Sequence, residues 1–336
     1  MKYIYIIIPC YKSKGKISGV INSIQEVSKK INNQYKISII IVDDACPLES
    51  WREIKENPNI IIIHHQKNKG VGASTLNGFK LALSKGADAV VKLDSDGQHP
   101  PSYLENIIPY LFSLSEEETS IIKGSRYLYR INSEKIPWAR KLGSIFLEPI
   151  ARVALSCRDL SDISNGYLAM NKLTCRLLVG IEFGPNLNKR YLFESSLLVR
   201  SVFFDIPIHI FAMNANYEKD WNSSMESKKM ILPLLYFWSK AGIDRLINKY
   251  LYRLNLGSLL LLISFTCSLN SISLYFNRIR PFIKAGINVS AGNSSFFTTS
   301  SAIAIITILL FFLYDYNSGK KVKSVLFPVF LDELNT

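Results

Sequence analysis

Two stretches without a charged side chain, residues 254–277 and 285–314, restrict this chain more than any other feature. Each exceeds the ~20 residues that cross ~30 Å of hydrocarbon. A soluble fold could take them only as helices buried all round, and core helices of that length usually keep a polar stripe. The run AIAIITILLFFLY at residues 302–314 keeps none. We expect a transmembrane hairpin over 254–316, with helices at about 254–277 and 294–315. Buried core helices are the alternative, favoured in the first stretch by Asn270 and several serines.

The flanks orient the hairpin. Lys228, Lys229, Lys240, Arg245, Lys249 and Arg253 precede it, and Lys320, Lys321 and Lys323 follow it. The connecting loop has only Arg278, Arg280 and Lys284. An excess of cations marks the cytoplasmic side, so both ends, and the tail 317–336, are expected there. Residues 228–253 space Ile231, Leu234, Trp238, Ala241, Leu246 and Tyr250 among lysines and arginines. That pattern fits a helix lying on an anionic membrane surface, or one packed on the preceding domain.

Residues 1–227 read differently. YIYIII (3–8), ISIIIV (37–42), IIII (60–63), AVVKL (89–93) and SIIKG (120–124) are short and mostly β-branched, as strands covered on both faces are. Between them, residues 17–31 and 73–83 repeat apolar positions at steps of three and four. The alternation implies an α/β domain with a mostly parallel sheet and right-handed crossovers. With 48% apolar and 20% charged residues the chain has a core to build, and its net charge of +13 suits an anionic partner surface. Cys10, Cys46, Cys157, Cys175 and Cys267 show no metal-ligand spacing and are expected to be reduced. The opening MKYIYIIIPCYKSKGK reads as a first strand rather than a cleaved leader.

The chemistry gathers where these strands end. VVKLDSDGQHPP (90–101) closes an apolar run with two like charges, Asp94 and Asp96, followed by Gln98. Oxygens so placed can share a hard cation, Mg²⁺ or Mn²⁺, which uses one or two carboxylates and fills its shell with water and phosphate oxygens. Two solvated turn carboxylates are the plainer alternative. Asp43 and Asp44 end the second strand and can accept hydrogen bonds from a nucleobase, while Pro9 and Tyr11 after the first strand can wall it. Lys69 and Gly70 in NKGVGAS (68–74), together with Asp94 and Ser95, complete a candidate nucleotide pocket. His64 and His65 also follow a strand, but without a third ligand nearby they are read as strand-end residues, and His99 beside the aspartates stays open.

The strings IIIPCY, VDDA, NKGVGASTLNGF and VKLDSDGQHPP resemble family 2 glycosyltransferases of GT-A fold. They are most similar to the membrane branch that contains dolichol-phosphate mannose synthase and bacterial polyprenyl-phosphate glycosyltransferases. KGSRYL (123–128), IPWARKLGS (136–144), DISNGYLAMN (162–171), RYLFESSLLVR (190–200) and FLYDYNSG (312–319) continue the resemblance over nearly the whole chain.

The resemblance implies a metal-dependent, inverting transfer from a UDP- or GDP-sugar to a polyprenyl phosphate, in cell-envelope glycan assembly or modification. Asp94, Asp96 and Gln98 would hold the metal on the diphosphate. Arg126 and Arg140, with Lys123 behind them, would seat the acceptor phosphate. Asp162 would touch sugar or acceptor, and Glu194 would orient sugar hydroxyls unless it pairs with Arg190 or Arg200. The implied partners are nucleotide sugar, lipid phosphate and a bacterial inner membrane crossed more than once, with no nucleic acid; a homo-oligomer is left open. One departure is Asn216, which stands where an arginine is expected, with Lys219 as its substitute. A membrane-anchored nucleotidyltransferase and a non-catalytic scaffold of the same fold are the competing readings.

Overall fold

The computed structural model describes residues 1–31, 33–114, 117–128, 136, 138–180, 184–216, 227–319, 322–328 and 330, with positions 139, 140 and 227–231 described for their backbone alone. The side chain of Arg140 and all of Lys219 lie outside the described residues. The chain forms two compact units: Met1–Arg152 with Asp159–Phe237 and Lys321–Thr336, and Val153–Arg158 with Trp238–Lys320.

The first unit is built on an eight-stranded sheet in the order β3-β2-β1-β4-β6-β5-β7-β8. Its strands are β1 (Lys2–Cys10), β2 (Tyr35–Asp43), β3 (Ile60–His64), β4 (Ala89–Lys92), β5 (Ile121–Ser125), β6 (Leu168–Asn171), β7 (Ile208–Ala212) and β8 (Lys323–Val325). β6 runs antiparallel to both its neighbours and every other pair is parallel. The expected parallel α/β sheet is present, and its first five strands fall where the β-branched runs lie.

Helices cover both faces because strand side chains alternate. Ile4, Ile6 and Ile8 join a core with Ile17, Val20, Ile21, Ile24 and Val27 of α1 (Ile17–Lys30) and Leu104, Ile107, Ile108 and Leu111 of α3 (Leu104–Ser113). Ile7 has the opposite parity and meets Gly78 of α2 (Val71–Ser84) so closely that a Cβ there would overlap it. The remaining helices of the region are α4 (Trp138–Leu155), α5 (Lys172–Val179) and α6 (Phe193–Phe203). Three strands escaped the sequence reading: β6, β7, and β8 within the stretch read as a tail. β8 pairs with β7 through Ile210↔Ser324 and Phe211↔Val325, and Phe327 and Phe330 behind it are buried in the main core.

The second unit holds the end of α7 (Ser227–Leu246), then α8 (Leu256–Leu274), α9 (Arg280–Lys284) and α10 (Ala291–Asn317). Asn255 caps α8 in a reciprocal capping box with Ser258, and Ser290 caps α10. Among the described residues, Leu256–Lys284 and Ala291–Asn317 are long and apolar enough to cross a membrane. Leu259, Leu262, Phe265, Leu309, Phe312 and Leu313 point outward, unlike the side chains of core helices. The polar residues that interrupt the first stretch face its partner helix. Ser264 Oγ donates to the Ala304 carbonyl (2.9 Å), Asn270 Nδ2 to Ser300 Oγ (3.1 Å), and Ser300 Oγ to the Cys267 carbonyl (2.9 Å). At the other end of α10, Asp315 accepts from both terminal nitrogens of Arg245 (2.7 and 2.8 Å) and from the Tyr250 hydroxyl (2.6 Å).

Candidate active site

β1, β2, β3, β4, β5 and β7 all end at one edge of the sheet, and β6, being antiparallel, begins there. Residues before β6 therefore meet those that follow β4 and β5. Short bonds tie the loops at this edge. The Lys12 amide donates to Cys46 Sγ (3.0 Å), the Ser13 amide to Ser50 Oγ (3.1 Å), and the Ser13 and Ser95 hydroxyls share a hydrogen bond. Pro9 lies inside β1 opposite Val42, and Tyr11 is exposed at the rim.

The aspartates of the second strand end are held differently. Asp43 accepts from the Cys46 amide (3.1 Å) and lies 3.1 Å from His64 Nδ1. Asp44 is buried and accepts from the amides of Lys69 and Gly70 (both 2.8 Å) and from His65 Nδ1 (2.7 Å). The Asn77 amide donates to His65 Nε2 (2.8 Å), which leaves Nδ1–H for Asp44. Asp44 thus fixes the loop before α2. Gly70 sits at φ 96°, and the space a Cβ would take there and at Gly72 belongs to residues 188–190. These glycines admit a neighbouring loop, and the amide of Gly70 already has its acceptor.

Asp94 stands between Lys92 and His99. Lys92 Nζ donates to Asp94 Oδ1 (2.7 Å), to Glu194 Oε1 (2.9 Å) and to the Gly166 carbonyl (3.4 Å). The Asp94 amide donates to His99 Nδ1 (3.1 Å), so His99 Nε2 carries a proton and faces Asp94 Oδ2 at 3.7 Å. Burial would raise the Asp94 carboxyl, but Lys92 holds it well below the usual carboxylate range. Burial likewise opposes the charge on Lys92, and Asp94 and Glu194 more than restore it. Burial pushes His99 down to about 4. Glu194, in the first turn of α6, takes Lys92 as its partner, whereas Arg200 donates to the Pro185 carbonyl. Asp96 accepts from the Gln98 amide (3.0 Å), and the Asn216 amide donates to the Gln98 carbonyl (3.2 Å), so the residue expected to be arginine touches this loop through its backbone.

A second cluster follows β5. Arg126 donates to Asp162 from its amide (2.9 Å), Nε (2.7 Å) and Nη2 (2.6 Å), and Asn165 Nδ2 adds a fourth bond (3.1 Å). Burial opposes ionisation of Asp162, but Arg126 keeps its carboxyl well below the usual range. Asp162 adopts φ 54°, held by Lys123 Nζ at its carbonyl and by Glu148 Oε1, which accepts from its amide (2.8 Å). Burial pushes Lys123 down to about 8. The Arg126 charge also lowers Asp94, so the two clusters form one electrostatic unit.

The oxygen donors Asp94 and Asp96 suit Mg²⁺ or Mn²⁺. Among the described residues no three His, Cys, Asp or Glu side chains converge, so such an ion would fill its shell with diphosphate and water oxygens. The structure assembles Asp94, Arg126, Asp162 and Glu194 with Lys92, Lys123 and His99. Sequence reasoning passed over Lys92 and Gly166, and read His65 as a strand-end residue without its bond to Asp44. A lysine within AVVKL was itself a signal, since a buried charge needs a partner. A Cβ on Gly166 would overlap Lys92 Nζ and lie 2.9 Å from Asp94 Oδ2. Gly166→Ala is expected to keep the fold but cut turnover about tenfold or more, as misplaced catalytic groups do. Wild-type rates in a steady-state transfer assay would exclude that reading of Gly166.

The family model for glycosyl transferase family 2 matches residues 5–172. The chain is similar to the UDP-N-acetylglucosamine–dolichyl-phosphate N-acetylglucosaminyltransferase of Methanococcus voltae, 32% identical over 53% of this chain and 72% of that one. It is also similar to the dolichol-phosphate mannosyltransferase of Pyrococcus furiosus, 30% identical over 54% of this chain and 48% of that one. The undecaprenyl-phosphate mannosyltransferase of Micrococcus luteus is 27% identical over 48% of this chain and 65% of that one. Among solved structures, mannosyl-3-phosphoglycerate synthase from Rubrobacter xylanophilus overlaps 76% of this chain and 77% of its own at 11% identity, with a TM-score of 0.49.

Proposed function

We propose that this chain, which belongs to glycosyl transferase family 2, moves a sugar from a nucleoside diphosphate sugar to a polyprenyl phosphate at the cytoplasmic face of a membrane. The observation that carries the reading is one chain with both a carboxylate-rich site at the carboxyl edge of an α/β sheet and two outward-apolar helices. Relatives named for transfer to dolichyl or undecaprenyl phosphate support the acceptor class. Trp138, Ile145 and Phe146 of α4, 73%, 63% and 68% exposed, give the catalytic unit an apolar face that lipid would cover. After α10 the chain returns to place β8 in the catalytic sheet, as an even number of crossings requires. The cationic flanks favour the cytoplasmic side for both ends.

In this reading the anionic acceptor oxygen attacks the anomeric carbon, the carbon–oxygen bond to the diphosphate breaks, and the nucleoside diphosphate leaves with inversion. Such an acceptor needs little help from a base, so orientation carries much of the rate. The divalent cation, when bound, offsets charge gathering on the leaving diphosphate. Pro9, Tyr11, Asp43 and Ser95 are assigned to the nucleotide side, where Asp44 acts by holding the Lys69–Gly70 loop. Asp94 and Asp96, with Gln98, bring the metal ligands. Glu194 is assigned to the sugar hydroxyls, and Arg126 with Asp162, together with Arg140, to the acceptor phosphate. Membranes carrying the protein should move label from a radiolabelled UDP- or GDP-sugar into the lipid phase when polyprenyl phosphate is added. Asp96→Asn, which keeps the shape and removes an ionic ligand, should cost about a hundredfold or more in turnover. Label that stays in the aqueous phase for every nucleotide sugar would reject the transfer.

A further inference from the structure

The first carboxylate of the metal loop is neutralised from within the protein. Lys92 is 0% exposed in a strand whose other members are Ala89, Val90 and Val91. An ammonium has three donors and no acceptor, and all three find oxygen: Asp94 at 2.7 Å, Glu194 at 2.9 Å and the Gly166 carbonyl at 3.4 Å. Stability alone does not account for this residue, since apolar residues of similar volume commonly replace a buried ion pair at no cost. What an apolar residue could not do is fix two carboxylates, one 2 positions and the other 102 positions from it in the chain, and oppose a second cation there.

We propose that Lys92 is a positioning residue that yokes Asp94 to Glu194 and withholds Asp94 from a bare divalent cation, so that the cation enters with the nucleotide's diphosphate. The proposal rests on the glycosyltransferase reading above and adds the order and coupling of binding. Asp94 Oδ1 is committed to Lys92 and Oδ2 faces His99 at 3.7 Å, so the carboxylate cannot embrace an ion with both oxygens unless these supports move. Asp96 spends one oxygen on the Gln98 amide. A dication approaching alone meets the fixed charge of Lys92 across a few ångströms of protein. The same dication carried on a diphosphate arrives with negative charge that cancels the repulsion. Glu194, held by the same ammonium, is oriented before any ligand arrives.

The test is Mn²⁺ binding by the full chain in detergent, followed by the electron paramagnetic resonance of free Mn²⁺, alone and with UDP or GDP. Wild type should bind Mn²⁺ alone weakly and much more tightly with nucleotide. Lys92→Met should tighten Mn²⁺ alone by about tenfold or more, shrink the nucleotide's effect by a similar factor, and slow transfer. Lys92→Arg, which keeps the charge, should follow wild type in Mn²⁺ binding. Lys92→Met leaves the buried Glu194 and the half-buried Asp94 unbalanced, so Lys92→Met/Glu194→Gln, which removes one charge of each sign, serves where the single variant does not fold; it too should bind Mn²⁺ alone more tightly than wild type. Folded variants whose affinity for Mn²⁺ alone is unchanged or weaker would overturn the proposal. An Asp96→Asn chain that binds Mn²⁺ with nucleotide as wild type does would instead overturn the metal-loop assignment, and the proposal with it.

Discussion

A chain ended after Lys320 is expected to lose its catalytic unit, although the cut lies beyond every candidate site residue. The missing piece contains β8, which pairs His209↔Lys323, Ile210↔Ser324 and Phe211↔Val325 along the edge of β7. Behind it, the Phe327 ring packs 5.6 Å from Tyr110 and 5.4 Å from Phe211, centre to centre, and Phe330 is buried in the same core. Deleting a buried phenylalanine costs about 3–5 kcal/mol, and two such losses match the roughly 5–15 kcal/mol that hold a domain together. The cut also bares the ladder groups of β7, which invites association with other chains. In one detergent, the intact protein should melt cooperatively by near-ultraviolet circular dichroism and the shortened one should show little near-ultraviolet signal. Phe327→Ala/Phe330→Ala should fall between them. A shortened chain melting within about 2 °C of the intact one would mean that β8 is an ornament. A soluble fragment ending near residue 227 should fail for the same reason, even though it contains the whole metal loop.

The strands that could be read beforehand are those whose sequence carries a run of isoleucine or valine; β6 (LAMN) and β7 (IHIFA) are buried throughout but lack one. β1 to β5 each contain adjacent isoleucines or valines, the β-branched residues that suit strands of a mostly parallel sheet. β8, with sequence KSV, is a strand because β7 offers it an edge, and three residues carry no period from which to infer that. The aspartates at the end of β4 drew attention because two like charges ending an apolar strand are costly without a cation, and the structure sets Lys92 beside the first of them. The partner of Glu194 was not, since local spacing offers Arg190 and Arg200, whereas the fold delivers Lys92 from a strand at the centre of the sheet. Arg126 reads as a phosphate-seating cation. What could not be read is that its guanidinium pairs with Asp162, because the loop before antiparallel β6 returns to the end of β5.

That pairing makes Arg126→Ala expensive in a way that reports its cause. Asp162 is buried and takes three of its bonds from Arg126, so the substitution strands a carboxylate with Asn165 as its remaining side-chain donor among the described residues. The amide bond survives truncation, but the charge does not. Breaking a buried pair from one side costs about 3–5 kcal/mol. The pH dependence should change sign. With Arg126 present, the Asp162 carboxyl lies below its unfolded value, so the pair's contribution is full above the ordinary carboxylate range and is lost as pH falls through the lower, folded value. Without the Arg126 guanidinium, burial, the largest influence on this carboxyl, is opposed by Lys123, the residue-126 amide and Asn165 alone, and the folded value is expected to rise above the unfolded one. The fold then prefers the protonated acid and gains stability as pH falls toward it. Arg126→Ala should therefore melt higher at about pH 5 than at about pH 8, relative to Arg126→Ala/Asp162→Asn, which has no carboxyl to titrate. The double variant should also recover part of the lost stability while staying slow in transfer. If the two variants respond to pH alike, Arg126 is not what keeps Asp162 ionised, and its guanidinium returns to candidacy as a direct ligand of the acceptor phosphate.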